Sequence, residues 1–180
     1  IKDTGLLKKI NGSIKFIFQP SEEKLGGANN MIERGVLENP RVDQIIAGHM
    51  DPNLSVGTVG VFSHIGHAAS DPFELVIKGK GTHGARPHKG INPITAGAVF
   101  AASLDSIIPR HISPDQPAVI SVGSFHAGEA GNVIPEQAVI KGSVRTHDEA
   151  VRNKIFTEME QLVQGIDKMF GTRCELVFKP

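Results

Sequence analysis

Two glutamates and a histidine are the side chains of this sequence best suited to metal chemistry. Glu22 and Glu23 follow the apolar segment Ser13–Phe18, and His49 follows a second apolar segment, Gln44–Gly48. In open α/β sheets, residues just beyond the carboxyl ends of buried strands line the crevice where ligands bind. Carboxylate and imidazole both bind divalent ions, and a carboxylate can also act as a base. The pattern therefore favours half of a metal site, in which the adjacent glutamates can take different roles.

A second group of candidates has side chains that donate hydrogen bonds. His83 lies in the glycine-rich segment 79–88, Asn132 lies in a turn, and Arg145 ends an apolar segment. An arginine can bind a carboxylate through two parallel hydrogen bonds, and an asparagine both donates and accepts. Together, Asn132 and Arg145 favour a clamp for a free acid group on a substrate.

Each candidate also has an ordinary explanation when it is taken alone. A Glu-Glu pair in a loop is usually a solvated surface feature, and a lone histidine at a strand end is more often structural. A glycine-rich connection is commonly a plain loop, Asn132 suits a turn, and Arg145 suits a surface ion pair. Spacing alone does not decide between the functional and the structural interpretation of each residue.

The elements that position these residues fall into two parts. The pattern of residues 13–62 predicts strands at 13–18, 42–48 and 58–62 and a helix at 26–34, in the order strand, helix, strand and strand. This order is typical of part of an α/β sheet. From about residue 69 the order changes to βαββαβ, which predicts an α+β ferredoxin-like sandwich. Its strands are predicted at 72–78, 118–125, 137–145 and 174–178. We place the boundary between residues 67 and 68.

The two helices of the second part carry recognisable end signals. Asn92 can cap the first of them, and Pro109 is expected to end it. Thr146 with Glu149 forms a capping-box pattern at the start of the second, and Gly171 supplies its stop.

Composition excludes several classes of partner. The chain has 19 basic and 19 acidic side chains, so its formal net charge is zero. A nucleic-acid-binding protein or a protein drawn to anionic membranes would carry a basic excess, so a small, roughly neutral substrate is the better expectation. Cys174 is the single cysteine, which excludes a disulfide within the chain and favours a cytoplasmic protein.

Five motifs occur in an order that resembles the M20 metallopeptidase family, and in particular its amidohydrolase branch, which acts on N-acyl amino acids. They are Phe18–Glu23, Gly48-His49, Gly79–His83, Asn132–Pro135 and Gly142–Arg145, and together they cover essentially the whole chain. The resemblance implies an α/β catalytic domain with a two-metal site and an inserted ferredoxin-like lid that mediates dimerisation. Residues 1–67 would then belong to the catalytic domain and residues 68–180 would form the lid.

The resemblance also implies a role for each candidate residue. Glu22 matches the general base, whereas Glu23 and His49 match metal ligands. His83 matches a lid histidine that steadies the substrate carbonyl, in several members across the dimer. Asn132 and Arg145 match contacts to the substrate carboxylate. The cofactor would be two divalent ions, zinc or manganese first, with cobalt and nickel open.

The remaining ligand motifs of the family are not in this sequence. The chain also starts at Ile1 rather than methionine. We therefore expect a fragment that cannot fully ligate two metals and is inactive alone, while its full-length parent hydrolyses the amide bond of N-acyl amino acids or related small amides and peptides as a homodimer. The alternative is a non-catalytic dimerisation or small-ligand-binding module.

Overall fold

The computed structural model describes residue 5 and residues 9–21, 26–63 and 66–179. The chain divides into two units, Ile1–Gly60 and Val61–Pro180. Within the described residues, no helix has the length and apolar character needed to cross a membrane.

In the first unit, helix α1 (Ala28–Glu33) is the one regular element among the described residues. It confirms the helix predicted at 26–34. The strands predicted at 13–18, 42–48 and 58–62 are wrong, since none of these segments has strand structure. Most of their apolar side chains are exposed, with 87% of Phe18 and 93% of Ile46 open to solvent. A strand exists only through hydrogen bonds to a neighbouring strand, and these segments have none in the described part of the unit.

The second unit contains six strands and two long helices among its described residues. Their bounds are β1 Ala69–Lys78, β2 Thr82–His83, α2 Pro93–His111, β3 Ala118–Ala127, β4 Val133–Ile134, β5 Gln137–Thr146, α3 Glu149–Phe170 and β6 Arg173–Phe178. Four of the strands form an antiparallel sheet in the order β3-β5-β1-β6. These four strands and the two helices follow one another as βαββαβ, which confirms the predicted ferredoxin-like α+β sandwich. The short strands β2 and β4 form a separate antiparallel pair.

One face of this sheet forms the core with both helices. Residues directly opposite in β1 and β5 share a face, and the pairs Phe73 with Gly142 and Leu75 with Ile140 lie on the inner one. Phe73, Leu75, Ile140, Phe100 of α2 and Ile155 of α3 are almost fully buried. Alternation along the strands puts Arg145 on the opposite face, where it is exposed.

The helix ends confirm some of the expected signals and correct others. The side chain of Asn92 accepts a hydrogen bond from the Ile94 amide, as predicted, and Gly171 ends α3 in the left-handed conformation. Helix α2 continues past Pro109 to His111, so the predicted stop is wrong. Pro109 lies in the last turn, where the Ile112 amide still bonds to the Ile108 carbonyl. The capping box is also wrong, because Asp148 caps α3 by accepting from the Val151 amide.

Gly142 allows β5 to pass close to its neighbours in the middle of the sheet. A Cβ atom there would overlap the carbonyl oxygen of Ser121 and the ring of Phe73. We expect Gly142→Ala to lower the free energy of unfolding by about 1–3 kcal/mol or more, because a packed sheet cannot move its backbone cheaply. Urea denaturation of the chain measures this.

Gly165→Ala is the matched control for that substitution. Gly165 lies in α3 with nothing within 4 Å of an added Cβ, so alanine should stabilise the helix by about 0.5–1 kcal/mol. Equal stability of the two variants would contradict the proposed close approach at Gly142.

Candidate functional site

His83 and Asn132 come together on the small β2–β4 sheet. His83 pairs with Val133, the residue after Asn132, and the Gly84 amide donates a 2.7 Å hydrogen bond to the Asn132 carbonyl. Both side chains are exposed. A Cβ on Gly84 would lie 3.0 Å from the Asn132 carbonyl oxygen, so glycine permits this close approach.

The backbone around His83 also holds its ring. The Ala85 amide donates a 3.1 Å hydrogen bond to Nδ1 of His83, and the Arg86 amide donates to the His83 carbonyl. The glycine-rich segment is therefore a hydrogen-bonded turn at His83 rather than an unstructured connection.

Arg145 lies at the other end of the main sheet. The β2–β4 pair follows the end where Lys78 faces Gln137, whereas Arg145 faces Ser70 near the start of β1. The eight residue steps from Gln137 to Arg145 span about 27 Å at about 3.4 Å per residue. The side chains of Asn132 and Arg145 in one chain are therefore too far apart to bind the same carboxylate. The clamp expected from the sequence does not form within a single chain.

The predicted metal-site residues are only partly within the described structure. Glu22 and Glu23 lie outside the described residues. His49 is exposed, and its Nδ1 lies 2.8 Å from the carbonyl oxygen of Met50. Because a carbonyl only accepts, Nδ1 carries the proton, and the lone pair of the ring lies on Nε2. This arrangement, in which one ring nitrogen donates to a carbonyl, is the usual one for a metal-binding histidine.

Within residues 9–21, 26–63 and 66–179, no three His, Cys, Asp or Glu side chains are grouped so that they could hold a metal. Within those residues, His49 is therefore not part of a group of three candidate ligands. Cys174 is not a candidate nucleophile, because burial and the Asp167 carboxylate raise the pKa of its thiol to about 12.

An open cleft of about 460 Å³ lies where α3 begins, beside the start of β1. Asp71 and Arg152 line it and form a bidentate ion pair, with N–O distances of 2.7 and 2.9 Å. Hydrogen bonding to Asp71 raises the pKa of the Arg152 guanidinium. The Thr146 hydroxyl, also at this cleft, is buried without a hydrogen-bond partner among the described residues.

An aromatic stack continues the ion pair toward the end of β6. The Arg152 guanidinium lies 4.7 Å from the centroid of the Phe156 ring, which stacks on Phe178 at 3.8 Å. The cluster of Asp71, Arg152, Phe156 and Phe178 was not predicted from the sequence. Asp71 was the available signal, since it is a charged residue directly before the alternating strand at 72–78.

The fold agrees with that of known proteins. The peptidase dimerisation domain that defines this part of M20 enzymes matches residues 65–168. The chain belongs to the M20 metallopeptidase family. Among solved structures, a dinuclear metal-binding peptidase of the M20 family from Bacillus subtilis superposes with a TM-score of 0.70 at 36% identity, covering 92% of this chain and 40% of that protein.

Two curated relatives extend the similarity over almost all of this chain. An N-acetylcysteine deacetylase of Bacillus subtilis is 40% identical over 172 residues, which is 96% of this chain and 45% of the relative. An N-acyl-L-amino acid amidohydrolase of Geobacillus stearothermophilus is 41% identical over 170 residues, or 94% of this chain and 45% of the relative. The chain thus spans less than half the length of these relatives.

Proposed function

We propose that the full-length parent of this M20 chain is a metal-dependent amidohydrolase that removes the acyl group from N-acyl amino acids or related small amides. The observation that carries the proposal is about 40% identity, over nearly the whole chain, to relatives named as a deacetylase and an amidohydrolase of such compounds. We assign residues 1–67 to the catalytic domain and residues 68–180 to the lid. The lone cysteine, without a disulfide framework, favours the cytoplasm.

Glu22, Glu23 and His49 supply the catalytic-domain share of the site. Glu23 and His49 would hold divalent ions, for which zinc or manganese suits the carboxylate and imidazole donors. When bound, such ions act as Lewis acids toward water and the amide carbonyl. Glu22 takes the proton from the attacking water and passes it to the departing nitrogen. The proton on Nδ1 of His49 supports this assignment, because it leaves Nε2 as the ligand atom.

The lid supplies substrate contacts from two copies of the chain. His83 and Asn132 lie together beyond the Gln137 end of β5, and Arg145 lies about 27 Å along β5 from Gln137, so a small substrate cannot touch both sets in one protomer. In a homodimer, His83 and Asn132 of one protomer face the site to which the other contributes Arg145. Arg145 binds the free carboxylate of the substrate, and His83 donates to the carbonyl of the scissile amide.

Metal analysis of the full-length parent separates this enzyme from a non-catalytic dimerisation or ligand-binding module. We expect about two divalent ions per chain, with metal and hydrolysis of N-acyl amino acids both lost in Glu23→Ala. Glu33→Ala, an exposed glutamate of α1, is the control and should change neither. A metal-free parent that still forms dimers would support the module instead.

A further inference from the structure

Three consecutive amides fix the turn that presents His83. The Gly84 amide donates to the carbonyl of Asn132, just before β4, the Ala85 amide donates to Nδ1 of the His83 ring, and the Arg86 amide donates to the His83 carbonyl. Backbone and imidazole are thus held in one hydrogen-bonded unit. Of the two nitrogens of the ring, only Nε2 has no hydrogen-bond partner within this turn.

The Ala85 amide determines which ring nitrogen carries the proton. In a neutral imidazole one nitrogen is a donor and the other an acceptor, and a nitrogen that receives an N–H must have the lone pair. With Nδ1 as the acceptor, the proton lies on Nε2. Turning the ring over would place a C–H group against the Ala85 amide and leave that donor without a partner.

His49 shows the opposite arrangement in the same chain. Its Nδ1 faces the Met50 carbonyl and therefore carries the proton, so that its Nε2 has the lone pair. The local backbone thus prepares Nε2 of His49 to accept and Nε2 of His83 to donate. A metal ligand requires the first form, and a hydrogen-bond donor to a substrate oxygen requires the second.

We propose that the backbone amide of Ala85 is a positioning group that fixes neutral His83 in the Nε2–H tautomer, so that His83 acts as a hydrogen-bond donor through Nε2. The donor role rests on the proposed amidohydrolase function, in which negative charge develops on the carbonyl oxygen of the scissile amide. The tautomer itself rests only on the turn. A donor already in the correct form before substrate binds stabilises that charge without rearrangement.

Nitrogen-15 NMR of the 180-residue chain at a pH where the histidines are neutral tests the tautomer without any catalysis. We expect the Nδ1 resonance of His83 at the position of an unprotonated nitrogen and its Nε2 resonance at that of a protonated one. A coupling across the hydrogen bond between the Ala85 amide nitrogen and Nδ1 identifies the donor. A proton on Nδ1, or an even mixture of tautomers, would overturn the proposal regardless of what the enzyme does.

Two substitutions in the full-length parent then test the use of Nε2. His83→Gln places an amide N–H close to the position of Nε2, whereas His83→Asn places its side-chain oxygen where it can accept from Ala85 and puts no donor at Nε2. We expect kcat to fall about 10²–10³-fold in His83→Asn and to be at least about tenfold higher in His83→Gln than in His83→Asn.

The two measurements distinguish the two ways of being wrong. If His83 is the Nε2–H tautomer but His83→Gln is no more active than His83→Asn, the donor role is overturned while the tautomer stands. If the parent hydrolyses no N-acyl amino acid at all, the proposed function fails, and the NMR result still decides the tautomer.

Discussion

Replacing Glu22 by glutamine in the full-length parent is expected to lower kcat for N-acyl amino acid hydrolysis by about two to four orders of magnitude. That range is the usual contribution of a positioned general base, and glutamine cannot take a proton from water. The glutamine side chain has the same length as that of glutamate, so the substitution removes the charge with little change in side-chain size. Steady-state kinetics with an N-acetyl amino acid, together with metal analysis of the same sample, measures the effect.

The metal content of the Glu22 and Glu23 variants distinguishes a general base from a metal ligand. Glu22→Gln should retain about the full metal content while losing turnover, whereas Glu23→Ala should lose both. Glu33→Gln makes the same chemical change on exposed helix α1 and should leave kcat unaltered. Turnover near the wild-type level in Glu22→Gln would show that another group takes the proton.

The ferredoxin-like unit was predictable because its signals are local and agree with its packing. The alternating residues of segment 72–78 lie in β1, and the helical spacing of apolar residues buries Val151, Ile155 and Met159 in α3. The misassigned cap shows the limit of a short pattern. Thr146 and Glu149 match a capping box, but Thr146 still belongs to β5 and turns its side chain inward, which leaves Asp148 to cap the helix.

The first unit could not be predicted in the same way, because strands depend on partners. Segments 13–18 and 42–48 have the apolar content of buried strands, yet Phe18 and Ile46 are exposed and no ladder forms in the described residues. Sequence patterns report what a segment can do when neighbouring strands cover it. The chain spans less than half of its curated relatives, and we assign the covering strands to the rest of the parent.

For the candidate site, the sequence identified residue types but not which of them meet. His83, in β2, and Asn132, just before β4, are 49 positions apart but adjacent in the fold. Asn132 and Arg145 are only 13 positions apart, yet Asn132 lies beyond one end of the main sheet and Arg145 lies near the other. The pairing register, which depends on distant strands, determines this outcome. The role of the Ala85 amide could not be predicted for a different reason, because no side-chain pattern indicates the direction of a backbone N–H.

Replacing Arg152 by methionine is expected to destabilise the chain more than any other ion-pair substitution among the described residues of the second unit. The Asp71 side chain is only 8% exposed, so loss of its partner leaves a carboxylate in the interior. Breaking a buried pair in this way costs about 3–5 kcal/mol of unfolding free energy. Methionine retains apolar contact with Phe156, which separates the loss of charge from the loss of packing. Urea denaturation of the 180-residue chain gives the value.

The two partners of the ion pair differ in exposure, and this difference provides a sharper test of how much the pair stabilises the chain. Arg152 is 32% exposed and can turn toward water when Asp71 is replaced, so Asp71→Asn should cost less, about 1.5–3 kcal/mol. Lys78→Met breaks a surface pair with Glu175, in which both side chains are about half exposed, and should cost no more than about 0.5 kcal/mol. The double variant Asp71→Val with Arg152→Met should recover part of the loss, because no charge is then stranded. An Arg152→Met variant as stable as Lys78→Met would mean that water already reaches Asp71, and that the ion pair does not hold α3 to β1.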